Sequence, residues 1–223
     1  MAIFALWLVW QGGWMIWLIS DRGKAAPARA ICANNLKQIG MAFSMYSNDS
    51  RWERFPSLSP EPGQLFADYR VLYPKYIPDP VVTICPKDEI RKELTRMRQR
   101  QAEDWTDDTL SRFFDDHSYY YLGYAVLNDE DVESFARGYR GFELPKPREN
   151  ATAFLLRPGV ERFFLGDEPP SSAPAELRSQ IPVIIERPSR HRTIRNESEA
   201  YGGNVLYLDG HVEFVVYPGK WPM

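Results

Sequence analysis

Hydrophobic and polar positions follow three different rhythms along this chain, and each predicts a different kind of element. From Ala2 to Ser20 there is almost no rhythm. "AIFALWLVWQGGWMIWLIS" carries no charge, and Gln11 is its only strongly polar side chain. As a helix rising ~1.5 Å per residue, it nearly crosses a hydrocarbon core of ~30 Å. Trp7, Trp10, Trp14 and Trp17 suit a membrane interface. The stretch predicts a transmembrane anchor over residues 1–21. A cleaved signal peptide, cut near "ARA" at Ala28–Ala30, is one alternative, though no basic segment precedes the apolar run. A buried core helix is the other.

The second rhythm is helical. In "ICANNLKQIGMAFSMYSNDS" the residues Cys32, Leu36, Ile39, Phe43 and Tyr46 recur every three or four positions, which predicts an amphipathic helix over 30–48. Lys37, Gln38, Ser44 and Ser47 fall off that face. Asn48-Asp49-Ser50, then Pro56, end the helix. Gly40 costs ~1 kcal/mol relative to alanine in mid-helix, so it predicts close packing there. Leu65–Tyr73 predicts a turn or two of helix, and Val81–Cys85 a short strand. Residues 87–116 are dense in both charge signs, with a thin stripe of Ile90, Leu94 and Met97. They read as a charged surface helix. Its basic cluster, Arg91, Lys92, Arg96, Arg98 and Arg100, reads as a solvated face balanced by nearby acids rather than a phosphate site.

The third rhythm is extended. "HSYYYLGYAVL" (117–127), "ATAFLLRP" (151–158), "ERFFLGD" (161–167) and "IPVIIER" (181–187) are short, aromatic or β-branched, and bounded by turn residues. "RPGVE" predicts a hairpin turn between the second and third. "GGNVLYLDGHVEFVVYP" predicts a closing hairpin with Asp209-Gly210 as a two-residue loop. That register pairs Leu208 with His211, Tyr207 with Val212, Leu206 with Glu213 and Val205 with Phe214. It puts Val205, Tyr207, Val212, Phe214 and Val216 on a core face, and Asn204, Leu206, Leu208, His211 and Glu213 on a partly wet one. Residues 117–217 are therefore mostly antiparallel β, and the fold class is α+β.

Composition fits one domain over residues 22–223 behind the anchor. With 223 residues and a formal charge of −3, the chain is too balanced to require nucleic acid as partner. Arg22, Lys24 and Arg29 follow the apolar stretch and, alone, would keep the remainder in the cytoplasm. The two cysteines argue the other way. Cys32 and Cys85 behind a membrane span suggest one disulfide outside the cytoplasm, worth ~3–4 kcal/mol in the chain-entropy model. Two buried free thiols are the alternative.

Candidate chemistry is sparse. His117, His191 and His211 could join Asp167 and Asp209 in a metal or hydrolase site, but no known catalytic pattern accompanies them. Asp167, Glu168 and Asp209 sit at predicted strand ends and offer oxygens of the kind calcium takes. Their spacing is not that of an EF-hand loop, and turn formation explains Asp209 without a metal. No catalytic residue and no cofactor are assigned.

The strings "CANNLKQIGMAFSMYSND", "RFPSL", "CPKD", "SYYYLGY" and "GGNVLYLDGHVEFV", in that order, resemble the bacterial pseudopilin-like family with a prepilin-type N-terminal segment and a C-terminal processing-associated H-x9-D-G domain. The resemblance runs from about Ala30 to Val216. It implies a pilin-like fold, in which a long N-terminal helix packs on a small antiparallel sheet. It also implies a non-enzymatic role beside other pseudopilin or secretion-system subunits. Three features depart from the family pattern. The basic leader, the cleavage site and the glutamate five residues into the mature helix have no counterpart. Glu199 stands where the histidine ten residues before Asp209 belongs. Residues 87–116 look inserted. The expectation is an inner-membrane, single-pass protein held by residues 2–20, with its soluble part in the periplasm, serving a type II secretion-like or pilus-like apparatus. A surface-anchored binding module for polysaccharide or another ligand is the rival, and a metal-dependent hydrolase a further one.

Overall fold

The computed structural model describes residues 28–51, 53–61, 63–100, 105–128, 130, 154–164, 173–187, 191–195, 198–217, 219 and 222. The proposed anchor 1–21, Arg22, Lys24, Asp167 and Glu168 lie outside them. Among the described residues no helix is long and apolar enough to cross a membrane.

The predicted amphipathic helix is present over residues 28–49 (α1). Cys32, Leu36, Ile39 and Phe43 are fully buried, each apolar side chain contributing ~1.5–3 kcal/mol on removal from water. The buried stripe is wider than the five-residue pattern, because Asn35, Ala42 and Ser47 are also inside. Ser47 was expected on the outer face. The outer face carries Lys37, Gln38 and Ser44 as expected. It also carries Ile31, Met41 and Met45, all well exposed.

Between α1 and the sheet the chain forms short helices. They are α2 (Tyr69–Leu72), a 3-10 turn (Pro80–Thr83), α3 (Glu89–Arg100) and α4 (Asp107–Phe113). The 3-10 turn replaces the strand expected at Val81–Cys85. Pro80 opens it with its fixed φ, and the Asp79 side chain accepts from the Val81 N–H. The charged segment 87–116 is not one surface helix. Its second half, α4, is capped by Thr106 and buries Leu110 and Phe113. Phe114 follows it inward. In α3, Ile90 and Met97 pack against the core as their spacing predicts.

The strands are β1 (Tyr119–Tyr121), β2 (Tyr124–Ala125), β3 (Phe154–Leu155), β4 (Pro182–Glu186), β5 (His191–Arg195), β6 (Ser198–Tyr207) and β7 (Val212–Tyr217). A short helix, α5 (Ala173–Arg178), precedes β4. All pairings are antiparallel. β6 is the hub. β7 runs along one edge, and β4 and β5 share the other, β4 toward the C-terminal end of β6. β1 extends the sheet beyond β4. The architecture is thus α+β with an antiparallel sheet. "HSYYYLGYAVL" breaks at Gly123, whose φ of +71° favours glycine, and β2 pairs with β3 in a separate two-stranded sheet.

Two further expectations are corrected. The segment expected as a strand at Glu161–Asp167 is a 3-10 helix over Val160–Phe164 as far as it is described. "RPGVE" therefore leads into a helical turn, with the Arg162 N–H on the Gly159 carbonyl, and is not a hairpin. The closing hairpin exists, but its register differs by one residue: Leu206 pairs with Val212, Val205 with Glu213 and Asn204 with Phe214. The loop is longer than Asp209-Gly210. The Tyr207 N–H donates to the His211 carbonyl at 3.0 Å, and Gly210 turns the chain at φ +87°. Val212, Phe214 and Val216 thereby share a face with Leu206 and Asn204. Both faces of β6 are covered, since Leu206, Asn204, Val205 and Tyr207 are all buried.

α1 lies on the Leu206 face. A Cβ on Gly40 would come 2.8 Å from Leu206 Cδ2, which is the close approach predicted from the glycine. Phe43 meets Tyr121 edge-on at 4.9 Å. Asn204 Nδ2 donates to the Arg29 carbonyl at 3.3 Å.

Candidate functional site

The chemistry concentrates where α1 crosses the sheet. Cys32 projects from the first turns of α1, one step along the stripe that also buries Leu36. Cys85 sits in "ICPKD", directly after the 3-10 turn. The loop is pinned by its own polar groups. The Asp88 N–H donates to the Cys85 carbonyl at 2.9 Å, the Cys85 N–H donates to Ser118 Oγ at 2.9 Å, and Ser118 Oγ donates to Asp88 Oδ2 at 2.8 Å. From α3, Arg91 Nη1 donates to the Ile84 carbonyl at 2.7 Å, and from α1, Asn35 Nδ2 reaches the same carbonyl at 3.3 Å. These contacts set Cys85 Sγ 2.7 Å from Cys32 Sγ, across 53 positions of sequence. No disulfide joins them in this structure.

The third member is Glu186, the last residue of β4. It is fully buried, and one of its carboxylate oxygens lies within 4.8 Å of both sulfurs. Oε2 accepts from the Asn204 N–H at 3.0 Å and from Asn204 Nδ2 at 2.6 Å. A buried carboxylate needs such donors, because desolvation otherwise costs several kcal/mol. Tyr119 closes the centre from β1, its hydroxyl 3.4 Å from Asn35 Nδ2. The hydrogen bond with Cys85, burial, and the neighbouring Glu186 carboxylate together push the Cys32 thiol far above its ordinary pKa. Burial does the same to the Tyr119 hydroxyl, with Cys32, Glu186 and Cys85 adding to it.

Cys32, Cys85 and Glu186 are a ligand set a thiophilic metal could use. The geometry fits poorly. Tetrahedral zinc with Zn–S of ~2.3 Å needs sulfurs ~3.8 Å apart, and a closed structural site needs four ligands. Here the sulfurs are 2.7 Å apart, and the cluster supplies three such ligands among the described residues.

The other candidates are scattered. Asp209 and His211 do come together, with Oδ1 to Nδ1 at 2.6 Å, but on an exposed turn. Asp209 Oδ1 also accepts the His211 N–H at 3.0 Å, and the imidazole lies flat on the Tyr207 ring at 4.4 Å. Those contacts shape the turn, as an Asx residue commonly does. His117 pairs with Asp115 at 3.2 Å, two residues before β1. His191 begins β5, opposite Gly202 in the backbone register. Asp167 and Glu168 lie outside the described residues, so the calcium grouping with Asp209 has one member on view. Glu186 and Asn204 were missed in the sequence. The one signal was a glutamate ending the apolar run "PVIIE".

In comparisons with known proteins, no protein-family model, curated protein or solved structure matches this chain.

Proposed function

We propose that this protein is a membrane-anchored, pseudopilin-like structural subunit of a type II secretion-like or pilus-like apparatus, with residues 2–20 in the inner membrane and the described domain in the periplasm. The observation that carries the reading is α1. Its inner stripe seats on an antiparallel sheet, and an uncharged apolar stretch precedes it by a short linker in the sequence. Helix-on-sheet with an N-terminal anchor is the layout the sequence resemblance implies.

The outer face of α1 supports a contact with a neighbouring subunit. Met41 and Met45 are more than half exposed, and they border a groove of about 600 Å³ that Phe55, Leu206 and Leu208 also line. Exposed methionines on a helix make an adaptable contact surface. The rival reading, a binding module built on an aromatic platform, loses its best strand, because Tyr119 and Tyr121 face inward and are fully buried. Of the hydrolase candidates His191, His211, Asp167 and Asp209, the pair that meets, Asp209 and His211, serves the turn.

Membrane fractionation of the full chain tests the proposal. The protein should stay with the membrane pellet through an alkaline carbonate wash, and deletion of residues 2–20 should release it. A photo-crosslinker at Met41 should then join the full chain to another helix-anchored subunit. Recovery of the full chain in the soluble fraction would overturn the reading.

A further inference from the structure

We propose that Cys32, Cys85 and Glu186 form a thiol–disulfide centre, in which Glu186 accepts the proton leaving Cys32 as the Cys32–Cys85 bond closes. This goes beyond the structural role and does not depend on it.

The geometry is that of a pair about to bond. The sulfurs are 2.7 Å apart, against ~2.05 Å in a disulfide, so closure asks for a shift of under ~1 Å. A metal would need the sulfurs to separate by ~1.1 Å in a packed core, nearly twice the closing shift.

Closure requires a thiolate, and a bare thiolate is costly in this interior. Glu186 removes that obstacle. When the proton moves from Cys32 Sγ to the carboxylate, the centre carries one negative charge before and one after. No second charge is buried. Asn204 still hydrogen-bonds the carboxyl oxygen through its backbone and side-chain N–H groups. Among the described residues, the titratable groups that face Glu186 include Cys32 from α1, Cys85 from the "CPKD" loop and the Tyr119 hydroxyl from β1. Asp88 accepts from Ser118, and Arg91 donates to the Ile84 carbonyl.

The chemistry balances with a low-molecular-weight disulfide, RSSR, as oxidant. Both thiols are fully buried, so RSSR meets Cys85 while the "CPKD" loop is still undocked. The Cys85 thiolate attacks RSSR, forming Cys85–S–S–R and releasing RSH after protonation. With the loop docked, Cys32 passes its proton to Glu186 and its thiolate attacks the Cys85 sulfur. The sulfur–sulfur bond between Cys85 and SR breaks, and RS⁻ takes the proton back from Glu186 and leaves as RSH. Two cysteine sulfurs are oxidised, and one RSSR is reduced to two RSH.

The test uses the full chain, reduced in urea and diluted into mild detergent with excess oxidised glutathione, so that the oxidant meets the thiols before the loop docks. Aliquots are quenched with acid and alkylated, and mass spectrometry separates dithiol, glutathione adduct and closed disulfide. Decay of the adduct reads the closing step alone. In the wild type this rate should be nearly independent of pH between 6 and 9, because the proton moves within the centre. In Glu186→Gln the adduct should accumulate, closing at least about tenfold slower and accelerating about tenfold per pH unit as hydroxide takes over. A role confined to packing would slow the variant while leaving it the same pH profile as the wild type. A wild-type rate that rises tenfold per pH unit would overturn the proposal even if the variant fails to fold. So would a variant that closes as fast as the wild type, or folded wild type that keeps both thiols.

Discussion

Replacing Gly40 with alanine sets two effects of similar size against each other. Alanine in place of a mid-helix glycine favours the helix by ~1 kcal/mol. The new Cβ, however, would stand 2.8 Å from Leu206 Cδ2 and 3.3 Å from Cδ1. Leu206 is only 2% exposed, so its Cδ atoms must shift within the packing between α1 and β6. Overpacking of this kind costs ~1–3 kcal/mol. The crowding outweighs the propensity, and Gly40→Ala should destabilise the domain by about 1 kcal/mol. Leu206→Ala alone should cost about 2–5 kcal/mol through lost burial and a cavity. In the Leu206→Ala background the obstruction is gone, and Gly40→Ala should instead stabilise by about 1 kcal/mol. The double-mutant cycle should therefore show a coupling of about 1–3 kcal/mol. Urea unfolding followed by circular dichroism measures all four proteins. If Gly40→Ala stabilises equally in both backgrounds, α1 does not seat on β6 at this point.

Gly202→Ala should cost at least about 2 kcal/mol, because its Cβ would meet the Val215 carbonyl oxygen and Phe214 Cζ, each at 2.6 Å; an unchanged urea midpoint would contradict the β6–β7 register. Asn204→Ala removes the 2.6 Å donor from the buried Glu186 carboxylate. A loss of about 2–3 kcal/mol should follow, and a neutral effect would mean that Glu186 is not held from β6. Burial pushes Tyr207 up to about 12, with Glu213 and Asp209 adding to it, and raises Tyr119 and Tyr121 as well, from an unfolded value of 10. Their contribution to stability is complete below pH 10 and fades as pH rises through the folded values. Absorbance at 295 nm should show these tyrosines ionising only together with loss of ellipticity, and smooth titration of all 12 tyrosines near pH 10 would contradict their burial.

How much of this could be read from the chain varies with the kind of signal. The α1 stripe was legible because helical periodicity reports a buried face directly, and Gly40 was legible because glycine in mid-helix needs a reason. Ser47 was not, since a small hydroxyl shows no preference that spacing can detect. The hairpin existed in the sequence, but its register did not. Asp-Gly alone favours a two-residue loop. Phe214 must share a face with Leu206 and Asn204, where the Arg29 guanidinium lies 4.8 Å from its ring centre, and tertiary packing decided the pairing. The strands expected at Val81 and Glu161 became 3-10 turns because proline and glycine at their starts outweighed β-branched and aromatic content. The two cysteines invited pairing across 53 residues. Glu186 gave no such sign. A glutamate at a strand end reads as solvated until the donors from Asn204, eighteen residues later, are seen beside it.

The proposed function requires the domain to lie outside the cytoplasm on a membrane anchor. Cys32 and Cys85 are too deeply buried to report this by labelling. Lys75 has 67% of its side chain exposed. A Lys75→Cys variant of the full chain, treated in intact cells with a membrane-impermeant maleimide, reports it directly. Labelling should occur before lysis, at the same level as after lysis. Labelling only after lysis would put the domain in the cytoplasm and contradict the account.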